Sequence, residues 1–390
     1  MRPAGGRVSA RGLRLALFTD TALPQLNGVS RTLARLVDEV RRRDGAVRVF
    51  TTADPAARDR DDAVRFASVP FWAYPQLRLA WPGAARSHRE LRAWRPTLVH
   101  AATPFGVGIG GRRAAHAQGI PLVTSYHTSF TAYADFYHLH AVAGPGWRFL
   151  RWFHNGGRRT FCPTHAIADE LAGRGFRGTA VWGRGVDAER FAPRWRSTEL
   201  RRRLGAGDDD VLVAYVGRLA AEKGLDVLLD AVARVRSSPA GARVRFVFAG
   251  DGPYEAHSRR RAGDDAFVGR LEGRALSELY ASADLFAFPS VTDTFGNVLL
   301  EAMASGLPVI AADVAASREV LGDGGAVLVP GGDGEALADA ILRLAASAGE
   351  RARRARQAHA EAGRRSWDAV FDALLAEYRS LAGLDANPDS

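Results

Sequence analysis

The sequence predicts an α/β protein built from two doubly wound domains. Three observations carry this. Short apolar, β-rich runs alternate with helix-patterned stretches, and the alternation occurs twice along the chain. The runs are apolar throughout rather than every second residue, as in parallel strands buried on both faces. The chain has 390 residues, long for one domain and comfortable for two, and with 47% hydrophobic residues each half can bury a core.

In the first half, strands are predicted at Leu13–Thr19, Val47–Thr52, Val64–Val69, Leu98–Ala102, Leu122–Tyr126 and Ala180–Trp182, with helices such as Ser30–Arg43 and Gly106–Gln118 between them. In the second half they fall at Val211–Val216, Val244–Ala249, Phe267–Gly269, Leu285–Pro289, Val309–Ala311 and Ala326–Val329. Leu225–Arg236, Ser277–Ala283 and Asn297–Ser305 read as the intervening helices. The boundary is placed near Phe191–Leu204, where Pro193 and several charges interrupt the strand pattern, giving domains 1–195 and 196–366. An amphipathic last helix, near Trp367–Leu381, is expected to pack back on the first domain over residues 367–383.

No apolar run reaches the roughly 18–20 residues that cross a bilayer. The single cysteine, Cys162, has no partner for an intrachain disulfide or a paired-cysteine zinc site. A reducing cytoplasm is its natural setting and a buried, inert thiol its expected role. The net charge of +10 is uneven, with +15 in residues 1–195 and −5 in residues 196–390. The basic half is either an Arg-rich solvated surface or one that meets something anionic: a membrane, a phosphorylated acceptor or nucleic acid. Of the 53 basic residues, 52 are Arg, and the lone lysine is Lys223. A compact, rotatable ammonium in a chain that otherwise writes Arg points to a contact the planar fork cannot make, such as a phosphate.

Three strand–loop–helix segments carry chemistry. The first strand ends Phe18-Thr19-Asp20, and a loop through Gln25 and Asn27-Gly28-Val29 opens a helix at Ser30. Gly28 removes a Cβ where backbone N–H groups can cradle a phosphate, although an Asn-Gly pair is by itself only a turn. In the second, Gly217-Arg218-Leu219 and Glu222-Lys223-Gly224 follow Val211–Val216. Arg218 and Lys223 there can stabilise charge that grows on a departing diphosphate, or be ordinary surface charges. The third runs Thr292-Asp293-Thr294-Phe295-Gly296-Asn297-Val298 to Glu301. Asp293 precedes the helix, where it can face hydroxyls. Glu301, flanked by apolar residues, needs partners that ribose hydroxyls can supply. An N-cap Asp and a paired core Glu are the alternative.

Together these segments resemble the retaining glycosyltransferases of family 4, which have the GT-B fold of two Rossmann-like domains facing across a cleft. Gly217-Arg218-Leu219 with Glu222-Lys223-Gly224 is similar to the family's diphosphate motif, and Asp293 through Glu301 to its carboxylate-x7-Glu motif. Glu301-Ala302-Met303 through Pro308-Val309, Ala249-Gly250-Asp251-Gly252-Pro253 and Ala283-Asp284-Leu285 fit as well. The resemblance implies an acceptor-binding first domain and a nucleotide-sugar-binding second. Arg218 and Lys223 would hold the diphosphate and Glu301 the ribose. Asp293 and the backbone of Phe295, Gly296, Asn297 and Val298 would hold the sugar. Much of the family has Glu where Asp293 stands. The Asp version, with Leu23-Pro24-Gln25-Leu26-Asn27-Gly28 and Ser125-Tyr126-His127-Thr128, is most similar to α-mannosyltransferases using GDP-mannose. UDP-dependent glucosyl- and sulfoquinovosyl-lipid enzymes are the alternative.

His127 stands at a strand's carboxyl end, where open α/β sheets bind ligands. By resemblance it touches the donor sugar and helps the transition state without acting as base. The departing diphosphate would take the acceptor's proton in a front-face reaction that retains configuration. No metal and no cofactor is expected: the acidic runs Asp59-Arg60-Asp61-Asp62 and Asp208-Asp209-Asp210 read as solvated loops. Trp147-Arg148-Phe149-Leu150-Arg151-Trp152-Phe153, within the aromatic Phe130–Phe161, reads either as a contact with an anionic membrane or as a helix that buries its aromatics on the sheet. The partners implied are a nucleotide-sugar donor and a lipid or glycan acceptor, at a cytoplasmic site that extends to the inner membrane face. A non-catalytic binding protein using the basic half, for example on nucleic acid, is the reading from another class. It leaves Arg218, Lys223 and Glu301 unexplained, and nucleic acid is not expected.

Overall fold

The computed structural model describes residues 7–22, 25, 28–55, 63–71, 74–127, 140–263 and 267–385. They group into two compact units, one of residues 7–127, 140–183 and 368–385 and one of residues 184–367.

The first unit holds strands β1 (Arg14–Phe18), β2 (Ala46–Thr52), β3 (Val64–Phe66), β4 (Ser68–Phe71), β5 (Tyr74–Ala80), β6 (Leu98–Ala101), β7 (Leu122–Ser125), β8 (Arg159–Cys162) and β9 (Thr179–Val181). Seven form a parallel sheet in the order β3-β2-β1-β6-β7-β8-β9, and β4 and β5 pair as an antiparallel hairpin. Apolar faces on both sides make the core: Phe18 stacks on Phe50 with ring centroids 4.1 Å apart, and all four residues of β6 and of β7 are buried. The helix Gly106–Ala117 lies so close that a Cβ on Gly111 would sit 2.3 Å from the Phe18 ring.

The second unit holds β10 (Val211–Val216), β11 (Val244–Ala249), β12 (Phe267–Gly269), β13 (Leu285–Phe288), β14 (Val309–Ala312) and β15 (Val327–Val329), parallel in the order β12-β11-β10-β13-β14-β15. Every residue of β10 is buried, as a strand flanked by strands and covered by helices on both faces requires. In each sheet the strand order reverses once, between β1 and β6 and between β10 and β13. At such a switch point the connections leave in opposite directions and open a crevice at the strands' carboxyl ends.

The structure differs from the sequence reading at three places. The single strand expected over Val64–Val69 is two: β3 joins the sheet and β4 turns into the hairpin. Strands β5 and β8 were not anticipated; each carries Arg, and β5 also carries Pro75, which blurs the apolar pattern. The changeover between units falls at 183/184, not 195/196. Phe191 belongs to the second core, 5.6 Å from the Tyr280 ring, and the charges taken for a linker are a short helix, Thr198–Arg203. Its Arg201 is 3% exposed, meets Asp284 at 2.7 Å and donates to the carbonyls of Gly207, Asp210 and Ser282. Among the described residues no helix is long and apolar enough to cross a membrane.

Candidate active site

In the second unit the sequence-singled residues converge on the β10/β13 switch point. The loop after β10 runs Gly217–Gly224, ends in a short 3-10 turn, Ala221–Lys223, and feeds the helix Leu225–Ser237. The loop after β13 feeds the helix Asn297–Ala304, capped by Gly296 at φ 75°. The two loops are fastened together. Thr292 Oγ1 donates to Glu222 O at 2.9 Å, and a Cβ on Gly224 (φ 71°) would lie 2.6 Å from Pro289 O. Gly250 braces the first loop from behind: it has φ 147°, and a Cβ there would lie 1.8 Å from Gly217 O.

On this frame Lys223 Nζ donates to Asp293 Oδ1 at 2.7 Å, with the side chains 18% and 24% exposed. Asp293 Oδ2 is buried and has no hydrogen-bond partner among the described residues. A buried acceptor without a donor is rare in native proteins and marks a place where something else donates. Arg218 donates to Glu222, whose side chain is 2% exposed and so needs the guanidinium. Tyr215 Oη donates to Arg218 O at 3.0 Å; burial, and next the Asp293 charge, push the phenol up and keep it neutral. Glu301, on the helix after Gly296, accepts from Tyr280 Oη at 3.0 Å through Oε2. Phe295 is buried, with Gly296, Asn297 and Val298 partly exposed at the helix start. The helix opening aims backbone N–H groups outward. The structure therefore brings Arg218, Lys223, Asp293 and the 295–298 backbone to one switch point, with Glu301 in the helix they open.

In the first unit, Gly28 begins the helix Gly28–Arg42. Among the described residues, its chain neighbours aside, no atom lies within 4 Å of a Cβ added there. Leu23, Pro24, Leu26, Asn27 and Thr128 of the quoted motifs, and the run Asp59–Asp62, lie outside the described residues. Asp20, buried at the β1/β6 switch point, accepts from Val107 N at 2.9 Å and from Thr103 Oγ1 at 2.7 Å, which ties the two crevice loops together. Burial raises its pKa to about 6 against those donors. His127, just past β7, has Nε2 2.8 Å from Ser125 Oγ and its ring 5.8 Å from Trp182.

Sequence reasoning misses Tyr215, Tyr280 and Glu222 as the partners that hold Arg218 and Glu301, although Glu222 stands in the Glu222-Lys223-Gly224 motif. No local signal marks the tyrosines. Cys162 is buried, and its thiol is pushed up to about 12 by burial, so it is no thiolate. Among the described residues no group of three or more His, Cys, Asp or Glu side chains is placed to hold a metal ion. The helix His140–His154 buries one face and exposes another. Leu150 and Phe153 are buried, while Phe149 and Trp152 are 38% and 43% exposed beside exposed Arg148 and Arg151.

Comparison with known proteins agrees with this geometry. Residues 26–190 match the model described as Glycosyltransferase Family 4, and residues 210–347 that described as Glycosyl transferases group 1. A GDP-mannose-dependent alpha-mannosyltransferase of Mycobacterium tuberculosis is 35% identical over 95% of this chain and 98% of its own length. A sulfoquinovosyl transferase of Arabidopsis thaliana is 33% identical over 77% of this chain and 59% of its own. A solved Anabaena structure, in complex with UDP and glucose, superposes with a TM-score of 0.74 at 22% identity, covering 94% of this chain and 99% of that one. At that identity it speaks for the GT-B fold alone.

Proposed function

The chain belongs to glycosyltransferase family 4, and from that premise we propose that it transfers mannose from GDP-mannose to a lipid or glycan acceptor with retention of configuration. Membership sets aside the non-catalytic reading of the basic half. The observation that carries the proposal is the Lys223–Asp293 pair with its one unmatched oxygen. A sugar hydroxyl is a fitting donor to Asp293 Oδ2, while Lys223 and Arg218 face the pyrophosphate. Charge grows on that pyrophosphate as the glycosidic bond breaks, so fixed cations stabilise the transition state more than the ground state. Backbone N–H groups at 295–298 add to this, Glu301 holds the ribose, and His127 contacts the sugar. The leaving diphosphate takes the acceptor's proton, and the side-chain cations do the work a metal does elsewhere, so no metal or cofactor is required.

Mannose is favoured by the Mycobacterium relative, which is named a GDP-mannose-dependent alpha-mannosyltransferase, and by Asp, one methylene shorter than Glu, at 293. A UDP-sugar donor is the second reading, favoured by the Arabidopsis sulfoquinovosyl relative. The exposed face with Arg148, Phe149, Arg151 and Trp152 suits the cytoplasmic side of an anionic membrane, where a lipid acceptor lies. Thermal shift and transfer assays with GDP-mannose, UDP-glucose and UDP-sulfoquinovose decide the donor. Stabilisation and transfer are expected with GDP-mannose, and an α-mannosyl product by NMR. A response to a UDP-sugar alone overturns the mannose assignment, and a β-linked product overturns retention.

A further inference from the structure

A tyrosine on the last helix, Trp367–Leu381, starts a buried line of hydrogen bonds that ends on His127. Tyr378 Oη lies 2.8 Å from His100 Nδ1, and His100 Nε2 lies 2.9 Å from Ser125 Oγ. Ser125 Oγ in turn lies 2.8 Å from His127 Nε2. Tyr378, His100 and Ser125 are no more than 1% exposed. The rings of Phe161 and Trp182 wall the line, with centroids 6.3 and 6.0 Å from that of His100. The last helix, β6 and β7 each supply one member, all within the first unit.

The protons along this line can run in one of two directions. Burial holds the His100 imidazole down to about 3, so it is neutral near pH 7 and carries one N–H. If that proton were on Nδ1, the Tyr378 oxygen would accept it. The phenol's own proton would then face no acceptor, because His100 Nδ1 is the phenol's one hydrogen-bonding partner among the described residues. A buried donor left unmade is the costly arrangement. In the other direction every group is satisfied. Tyr378 O–H donates to His100 Nδ1, His100 Nε2–H donates to Ser125 Oγ, and Ser125 O–H donates to His127 Nε2.

We propose that Tyr378, through His100 and Ser125, is a positioning residue that fixes the tautomer of His127, with Nε2 as acceptor and the proton on Nδ1. His127 then offers an N–H, not a lone pair, at Nδ1, which suits a hydrogen bond to a sugar oxygen and leaves proton removal to the departing diphosphate. The consequence for turnover rests on the reading of His127 as a donor-sugar contact; the proton order itself does not.

The test uses the full chain labelled with 15N-histidine, with the His127 ring signals assigned by their loss in His127→Gln. The wild type is expected to show a pyrrole-type Nδ1 and a pyridine-type Nε2 for His127. Tyr378→Phe keeps the ring and removes the hydroxyl. Its His127 signals should move toward the average of two tautomers. Its kcat should fall about tenfold, as for other outer partners that orient a functional imidazole, with the donor KM little changed. Ser125→Ala cuts the line at its other end and should give the same spectrum, so a poorly folded Tyr378→Phe does not end the test. A wild-type His127 protonated on Nε2, or a His127 spectrum unchanged in both variants, overturns the proposal. A tautomer change with kcat intact overturns the role of His127 in the reaction while the proton order stands.

Discussion

Replacing Lys223 tests the donor site most directly. Its ammonium meets Asp293 Oδ1 at 2.7 Å, and the two side chains are 18% and 24% exposed. At that partial burial an effective dielectric near 20 applies, and a cation about 4 Å from a developing unit charge is worth ~4 kcal/mol. The carboxylate of Asp293 offsets part of that on the pyrophosphate, which leaves about 2–4 kcal/mol for Lys223→Ala, or a roughly 30- to 1,000-fold loss in kcat. Folding should suffer less. Asp293 loses its partner on Oδ1 while Oδ2 is already unmatched, a cost of about 1–3 kcal/mol in the unfolding free energy. Lys223→Arg keeps the charge but brings a planar fork into a turn shaped for an ammonium. It should recover only part of the rate. The assay is GDP release from GDP-mannose in the presence of acceptor, beside urea unfolding of the same samples. A Lys223→Ala protein that unfolds cooperatively and turns over within about threefold of wild type would refute the electrostatic account.

Glu301→Ala removes the carboxylate held by Tyr280 and should weaken GDP binding by roughly 10- to 100-fold, since a charged hydrogen-bonding group is worth about 1.5–3 kcal/mol; calorimetry giving an unchanged affinity would end the ribose assignment. Acidification should destabilise the protein. His100 and His154 are buried with pKa values lowered to about 3, so the stability they contribute is present above 6.5 and lost as pH falls toward 3. Asp20, raised to about 6 from 3.8, acts in the opposite sense, its stability being full below 3.8 and lost as pH rises through 6. Two histidines outweigh one aspartate, and an unfolding free energy that is flat or rising from pH 6.5 down to 4.5 would contradict this. Replacing Arg148 and Arg151 together with Gln should reduce co-sedimentation with phosphatidylglycerol vesicles and leave that with neutral vesicles unchanged. Undiminished binding would remove the basic face from the membrane reading.

Most of the architecture is legible in the chain because it is written locally. Val211–Val216 is apolar at every position, so any fold must cover it on both faces, and the observed β10 has those same bounds. Lys223 stands out by composition alone, and Asp293 and Glu301 by their spacing around a helix start. Where charge hides inside structure, the local pattern fails. Thr198–Arg203 reads as a linker until Arg201 is seen making four hydrogen bonds, to Asp284 and three carbonyls. Strand β8 opens with an arginine and reads as nothing.

What the sequence by itself determined is therefore the two doubly wound sheets, the family and the polar residues that follow their strands. Periodicity, turn chemistry and motif spacing act over a few residues, and those are what a linear reading can weigh. Tertiary structure alone decided which side chains hold those residues in place. Tyr280 reaches Glu301 across 21 positions and Tyr378 reaches His100 across 278. Such partners are chosen by sheet order and helix packing, which bring together groups that carry no mark of each other along the chain.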